Sequence, residues 1–259
     1  MFGKSENRDD YQYIQRPAGG MARNLPKGLY IDFHEHPRGQ LIYATEGAVL
    51  VNTLHGTWIV PSHRAVWVPP YTQHAMRACG KTALRTVYLH VEAIPADLTK
   101  CCVVAVSPLL RELISEVAGI PVEYDETGRD GLVVRLLLAE LKPMKVVPLY
   151  LPMPKDQRIA RICRKIEADP TDETSIEAWS ACVGASERTI VRLFQSQTGM
   201  SYRQWKQQAR LMSAIQMLAE GKNVTDVAVL CGYESPSAFS AMFRKLLGMT
   251  PSEYFRNIL

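Results

Sequence analysis

Hydrophobic positions change their spacing once along the chain. From about Gly28 to Val91 they come in short runs broken by Gly, Pro, His and Asn: Leu41-Ile42-Tyr43, Ala48-Val49-Leu50-Val51, Trp58-Ile59-Val60, Ala65-Val66-Trp67-Val68, and Leu84 to Val91. Short, closely spaced runs rich in β-branched and aromatic residues predict the strands of a sandwich or barrel. The texture turns helical at Ser107-Pro108, a cap followed by proline at the first helical position, ahead of Leu109, Leu110, Leu113, Ile114 and Val117. A second helix is expected from Leu132 to Lys142. Its Leu132-Val133-Val134-Arg135-Leu136-Leu137-Leu138 stretch is apolar on nearly every side, so it needs cover from the barrel and from another subunit. The stretch Pro148 to Pro154 reads as a connector.

Beyond Lys155 the pattern is helical to the end, with about seven short helices. Three boundaries fit a capping box, Thr174 with Glu177, Ser201 with Gln204 and Thr250 with Glu253. Ser235-Pro236 starts another helix, and Gly221 ends the one that begins near Tyr202. The expected organisation is multi-domain α+β. A barrel over residues 1–106 is followed by a helical dimerisation segment and linker over 107–154, then an all-α domain over 155–259.

The helical part contains a repeat. Phe194 to Trp205 aligns with Phe243 to Tyr254 at a constant offset of 49 residues, matching the Phe, Gly-Met, hydroxyl cap and terminal aromatic. At the same offset Ser186 faces Ser235, and Ile190 faces Phe239. Each copy holds a short helix, a turn near Gly184 or Gly232, and a second helix, which is helix-turn-helix organisation twice over. The amphipathic helix from Tyr202 to Ala219 that joins them would span about 27 Å. That compares with the roughly 34 Å between successive major-groove faces of a duplex.

Helical periodicity sorts the side chains. After Ser186, a core face of Ile190, Leu193, Phe194 and Gln197 leaves Arg188, Thr189, Val191, Arg192 and Gln195 outward. In the second copy Phe239, Met242, Phe243 and Leu246 turn inward, and Ser237, Ser240, Ala241, Arg244 and Lys245 turn out. Arg188 and Arg192 lie one turn apart, each able to reach a guanine edge or a phosphate, while Arg244 and Lys245 suit phosphates. The chain's net charge of +4 is too small to demand a polyanion, but from Ser186 onward nine basic residues face five acidic ones, so the whole excess sits here.

The C-terminal hundred residues resemble the AraC/XylS family of bacterial transcription regulators. The likeness is clearest in Val224-Thr225-Asp226-Val227-Ala228, Cys231-Gly232-Tyr233-Glu234-Ser235-Pro236-Ser237-Ala238-Phe239, and Phe243-Arg244-Lys245-Leu246-Leu247-Gly248-Met249-Thr250-Pro251. The resemblance implies a tandem DNA-binding domain with recognition helices Glu187 to Gln195 and Ser237 to Lys245. Ala241 departs from the family pattern, where many members place a longer polar side chain. The resemblance also implies a cupin-like sensor ahead of the DNA-binding part, with promoter DNA, a small-molecule effector and RNA polymerase as candidate partners.

In the barrel, His34 and His36 are two apart on an expected strand and share a face. Gln40 follows, and His74 comes after the turn-forming Trp67-Val68-Pro69-Pro70. His34-x-His36-x3-Gln40-x6-Gly47 with the later His74 resembles the cupin double motif, in which histidines and a glutamate bind a metal. Gln40 replaces that carboxylate with a neutral amide, a poorer ligand. Three readings stand open: a metal site, an effector pocket of His34, His36, Gln40 and His74 with Tyr43, Trp58 and Trp67, or satisfied core histidines. No cofactor is assigned. His55, His63 and His90 have no partner at useful spacing.

Six scattered cysteines without a C-x-x-C pair read as reduced core residues, and no Ser-His-Asp order, Walker loop or G-x-G-x-x-G stands in the chain. No run approaches the roughly 18 apolar residues of a membrane span, and the first residues lack an apolar leader. The combined expectation is a cytoplasmic, homodimeric, effector-controlled transcription regulator and not an enzyme. The rival is a metal-dependent cupin enzyme carrying a DNA-binding tail.

Overall fold

A computed structural model describes residues 5–62, 64–144 and 149–256, which leaves His63 and Pro148 outside the described residues. These divide into two compact units, residues 5–53 with 60–144 and residues 54–59 with 149–256. No helix among the described residues is long and apolar enough to cross a membrane.

The first unit is a β-sheet backed by two helices. Its strands are β1 (Ala18–Leu25), β2 (Tyr30–His34), β3 (Gly39–Thr53), the end of β4 (Gly56–Pro61), β5 (Arg64–Val68), β6 (His74–Leu89) and β7 (Cys102–Ala105). Long β6 pairs antiparallel with β1, β2 and β3, while β5 bridges β3 and β7. Strand parity gives the sheet two faces. Leu41 and Tyr43 of β3, Ala65 and Trp67 of β5, and Val87 and Leu89 of β6 join one core with α1 (Pro108–Val117) and α2 (Arg129–Glu140). Gln40, Thr86 and Tyr88 have the opposite parity and form a polar cluster on the other face.

The start of α1 follows its sequence, with Ser107 accepting a hydrogen bond from the Leu110 amide at 3.1 Å. Helices α1 and α2 share the sheet's core. Of α2, Val134 and Leu137 are buried, whereas Leu132 and Leu136 are 59% and 46% exposed.

The second unit holds seven helices among its described residues, α3 (Gln157–Ala168), α4 (Ile176–Val183), α5 (Glu187–Thr198), α6 (Tyr202–Ala219), α7 (Val224–Leu230), α8 (Pro236–Leu247) and α9 (Pro251–Arg256). The connector is not featureless: β8 (Tyr150–Pro152) pairs with residues 56–58. Trp205 on α6 donates its indole N–H to the Pro152 carbonyl at 2.8 Å. The capping boxes at Ser201 and Thr250 form. The cap of α4 is Ser175, not Thr174, because the Ser175 hydroxyl is the one that receives the Ala178 amide. Gly199 and Gly248, equivalent in the repeat, close α5 and α8 at φ 72° and 81°, where a β-carbon would be strained.

All six cysteines are free thiols. Cys79, Cys163 and Cys231 are buried and Cys101 and Cys102 half-buried, but Cys182 is exposed, so it is not the core residue its apolar neighbours suggest.

Candidate nucleic-acid interface and effector cavity

Each helix-turn-helix copy is built on a phenylalanine. Phe194 is fully buried against Tyr202 and Trp205, with ring centroids at 5.4 and 6.2 Å. Phe243 is fully buried against Phe239 and Tyr254, at 5.8 and 5.3 Å. With Ile190 and Leu193, or Phe239 and Met242, holding the inner face, the opposite faces of α5 and α8 are left to solvent.

On α5 that face carries Arg188, Val191, Arg192 and Gln195, with Thr189 half-buried beside the capping Ser186 hydroxyl at 3.0 Å. Gln197, expected in the core, is exposed; its amide oxygen accepts the Asp156 backbone N–H at 2.9 Å, so a polar end lies where periodicity alone asks for an apolar one. On α8 the solvent face carries Ser237, Ala241, Arg244 and Lys245, with Ser240 half-buried. Among the described residues no side chain of Arg188, Arg192, Arg244 or Lys245 has an intramolecular hydrogen bond or ion pair. Their charges are therefore available to a polyanion.

Other basic residues of this unit are committed inward. Glu173 pairs with Lys206 at 3.0 Å and with Arg210, and Arg210 also donates to the Pro170 carbonyl at 2.8 Å and lies over the Tyr233 ring at 5.9 Å. The hydrogen bond from Arg210, with that from Lys206, holds the Glu173 carboxyl below the usual carboxylate range.

In the first unit His34, His36 and His74 do meet. Their ring centroids lie 4.3 to 5.9 Å apart, and a nitrogen of each falls within 4.8 Å of the others. His34 ends β2, whereas His36 lies past the strand, so a loop and not strand parity brings it in. Gln40 lies between them, its Oε1 3.1 Å from His36 Nε2 and 2.9 Å from His74 Nε2. Burial lowers the pKa of all three imidazoles, that of His74 to about 3, so they are neutral near pH 7.

The three aromatic residues expected with them lie elsewhere. Tyr43 and Trp67 have the wrong parity and face α1 and α2, where the Trp67 indole donates to the Leu98 carbonyl at 2.8 Å. Trp58 belongs to the second unit and stacks on Tyr150 at 4.1 Å. A cavity of about 260 Å³ opens on His34 instead, with an apolar lining that includes Met21, Ile31, Met76 and Leu84, and with the charged Glu6, Arg8, Asp9 and Arg23 also on its walls.

An N-terminal strap borders this cavity. Arg38, 1% exposed, donates to the carbonyls of Gln12, Ile14 and Arg16 and pins the strap down. A charged residue in a Pro-Arg-Gly turn carries no sequence signal for such burial. His55 is exposed, and the His90 ring accepts the Glu92 amide at 3.4 Å.

Two family models match the chain: an AraC-like ligand binding domain over residues 23–141 and a helix-turn-helix domain over residues 179–257. The chain is 32% identical over 225 residues to the HTH-type transcriptional regulator NimR of Escherichia coli (strain K12), covering 87% of this chain and 82% of the relative. The chain belongs to the AraC-type helix-turn-helix transcriptional regulators. It is also 26% identical over 225 residues to the regulator GadX of Escherichia coli O6:H1, covering 83% of this chain and 76% of GadX. Among solved structures, ToxT from Vibrio cholerae aligns over 94% of this chain and 99% of its own, at 12% identity and a TM-score of 0.41. As a member of this family the chain is a transcription regulator with a β-rich ligand-binding domain and a C-terminal helix-turn-helix DNA-binding region.

Proposed function

We propose that a small molecule bound in the cavity beside His34 changes how the outward faces of α5 and α8 engage promoter DNA. One observation carries the DNA half: two repeated helices present arginine and lysine side chains without intramolecular partners. In this reading Arg188, Arg192, Val191, Thr189 and Gln195 read bases or position the first helix, and Arg244 and Lys245, with Ser237, Ser240 and Ala241, hold the second on phosphates. The effector must bind the DNA-competent and incompetent states unequally, since equal affinity shifts nothing. The barrel binds and does not catalyse, and the protein works in the cytoplasm with RNA polymerase as its downstream partner.

The exposed Leu132 and Leu136 of α2 support a homodimer. Light scattering is expected to give twice the 29.1 kDa chain mass, and Leu136→Asp to give a folded monomer; a wild-type monomer at micromolar concentration would refute this part. For the regulator itself, fluorescence anisotropy on the DNA upstream of the gene should give an affinity that falls log-linearly with salt, by about 0.9 in slope per phosphate contact. A flat salt response would refute the reading.

A further inference from the structure

This inference rests on the proposed use of α5 and α8 on DNA and names the residue that sets one against the other. Tyr202, Lys206 and Arg210 follow one another at four-residue steps along α6 and so form a single stripe. The stripe holds the loop that leads into α4, in the first helix-turn-helix copy. The Tyr202 hydroxyl donates to the Thr174 carbonyl at 3.0 Å, and Lys206 Nζ donates to Glu173 Oε2 at 3.0 Å. The Arg210 guanidinium donates to the Pro170 carbonyl at 2.8 Å and to Glu173 Oε1.

Arg210 also reaches the second copy. Its guanidinium carbon lies 5.9 Å over the Tyr233 ring, and that ring lies 5.5 Å from the buried Phe239 ring of α8. Its backbone carbonyl accepts the Cys231 thiol at 3.6 Å. Between those two contacts Gly232 adopts φ 75°, and a β-carbon there would stand 3.1 Å from Arg210 Nη2 and 3.3 Å from the Thr171 α-carbon. The glycine therefore lets the turn of the second copy seat against the loop of the first, with the arginine between them. A guanidinium suits this place because its edge bonds a carbonyl and a carboxylate while its face stays on an aromatic ring. The side chain is only 14% exposed, so these contacts are weakly screened.

We propose that Arg210 is a positioning residue for DNA recognition. By tying the loop before α4 to the turn before α8, it fixes the angle at which the second recognition helix follows the first. It thereby selects the distance between two DNA segments that both helices can occupy at once. Without it each copy keeps its own buried phenylalanine, Phe194 or Phe243, but the pair engages DNA over a range of separations.

Full-length protein is mapped on the DNA upstream of the gene by hydroxyl-radical footprinting. The two protected segments are then rejoined through spacers of graded length in one duplex library, and the bound duplexes are sequenced. Wild type should enrich one spacer length by at least about tenfold over its neighbours. Arg210→Met and, from the other side of the contact, Tyr233→Leu should bring neighbouring lengths to within about threefold of the best. A broadened preference is a gain that a misfolded protein cannot mimic; should Arg210→Met fail to fold by circular dichroism, Tyr233→Leu decides. Lys206→Met removes a partner of the same carboxylate from the same stripe and should keep the wild-type preference. On duplexes with a single segment, Arg210→Met should match wild type within about twofold. An unchanged spacer preference in a folded variant overturns the proposal. So does an equal broadening by Lys206→Met, or an Arg210→Met defect as large on single segments as on the pair. Fewer than two segments protected by wild type would refute the two-helix reading instead.

Discussion

Arg192→Ala separates folding from DNA recognition. The side chain is exposed on α5 and has no intramolecular hydrogen bond or ion pair among the described residues. Removing it therefore takes nothing from the native fold, and alanine is the better helix former. The expected change in folding stability is within about 0.5 kcal/mol, or about 2 °C in Tm for a chain of this size. On DNA the same truncation should cost about 1–3 kcal/mol if the guanidinium reads a guanine edge, which is about 5- to 150-fold in Kd. The loss would then fall on the promoter duplex and largely spare a shuffled one. If Arg192 contacts a phosphate instead, both duplexes weaken together and the salt slope drops by about 0.9. Fluorescence anisotropy on both duplexes between about 50 and 200 mM salt, with differential scanning fluorimetry on the same sample, distinguishes these outcomes. Unchanged affinity on both duplexes would refute the placement of α5 at the interface. So would a fall in Tm of more than about 4 °C, since the arginine would then belong to the fold.

The repeat predicts that Phe194→Ala and Phe243→Ala each destabilise the helical unit by about 3–5 kcal/mol in urea unfolding; a cost under about 1 kcal/mol at either would show that its copy lacks a packed core. Arg38→Met should leave the carbonyls of Gln12, Ile14 and Arg16 without their donor. It should loosen the strap by at least about 2 kcal/mol, roughly 30-fold in its open population, so chymotrypsin should cut at the normally buried Tyr11 far faster. Unchanged cleavage would refute the pinning role. Glu173 has a lowered native pKa, so its contribution is complete above the unfolded carboxylate value of about 4.3 and fades as pH falls through the native value. Its carboxylate is largely exposed, so the Tm gap between wild type and Glu173→Gln should correspond to under about 1 kcal/mol and close toward acid; a gap that widens in acid would contradict this.

The helical half is legible in the sequence because its signals are local. Caps such as Ser186, Ser201 and Ser235 and closing glycines such as Gly199 mark helix ends within a few residues, and a repeat of 49 residues checks one copy against the other. Where local logic has two neighbouring hydroxyls to choose from, it picks Thr174 over Ser175. The sensor is legible only in part. The spacing of His34, His36, Gln40 and His74 predicts their meeting, but assigning Tyr43 and Trp67 to the same pocket ignores that Gln40 and Leu41 alternate sides. The paired register Leu41 with Trp67 then carries both aromatic residues to the helix-covered face. Arg38 and the strap it pins depend on contacts more than twenty residues apart, which no periodicity encodes.

Helix α6 runs unbroken through eighteen residues, with Trp205, Leu211 and Ile215 fully buried along it. It acts as a ruler: α5 and α7 both pack on it, and α8 packs on α7, which favours one spacing between the two copies. One base pair inserted between their target sequences would advance one of them by about 3.4 Å and turn it by about 35° around the duplex. Promoters served by this protein should therefore tolerate base changes far better than insertions, and a one-nucleotide deletion midway should be as damaging as the loss of a whole half-site.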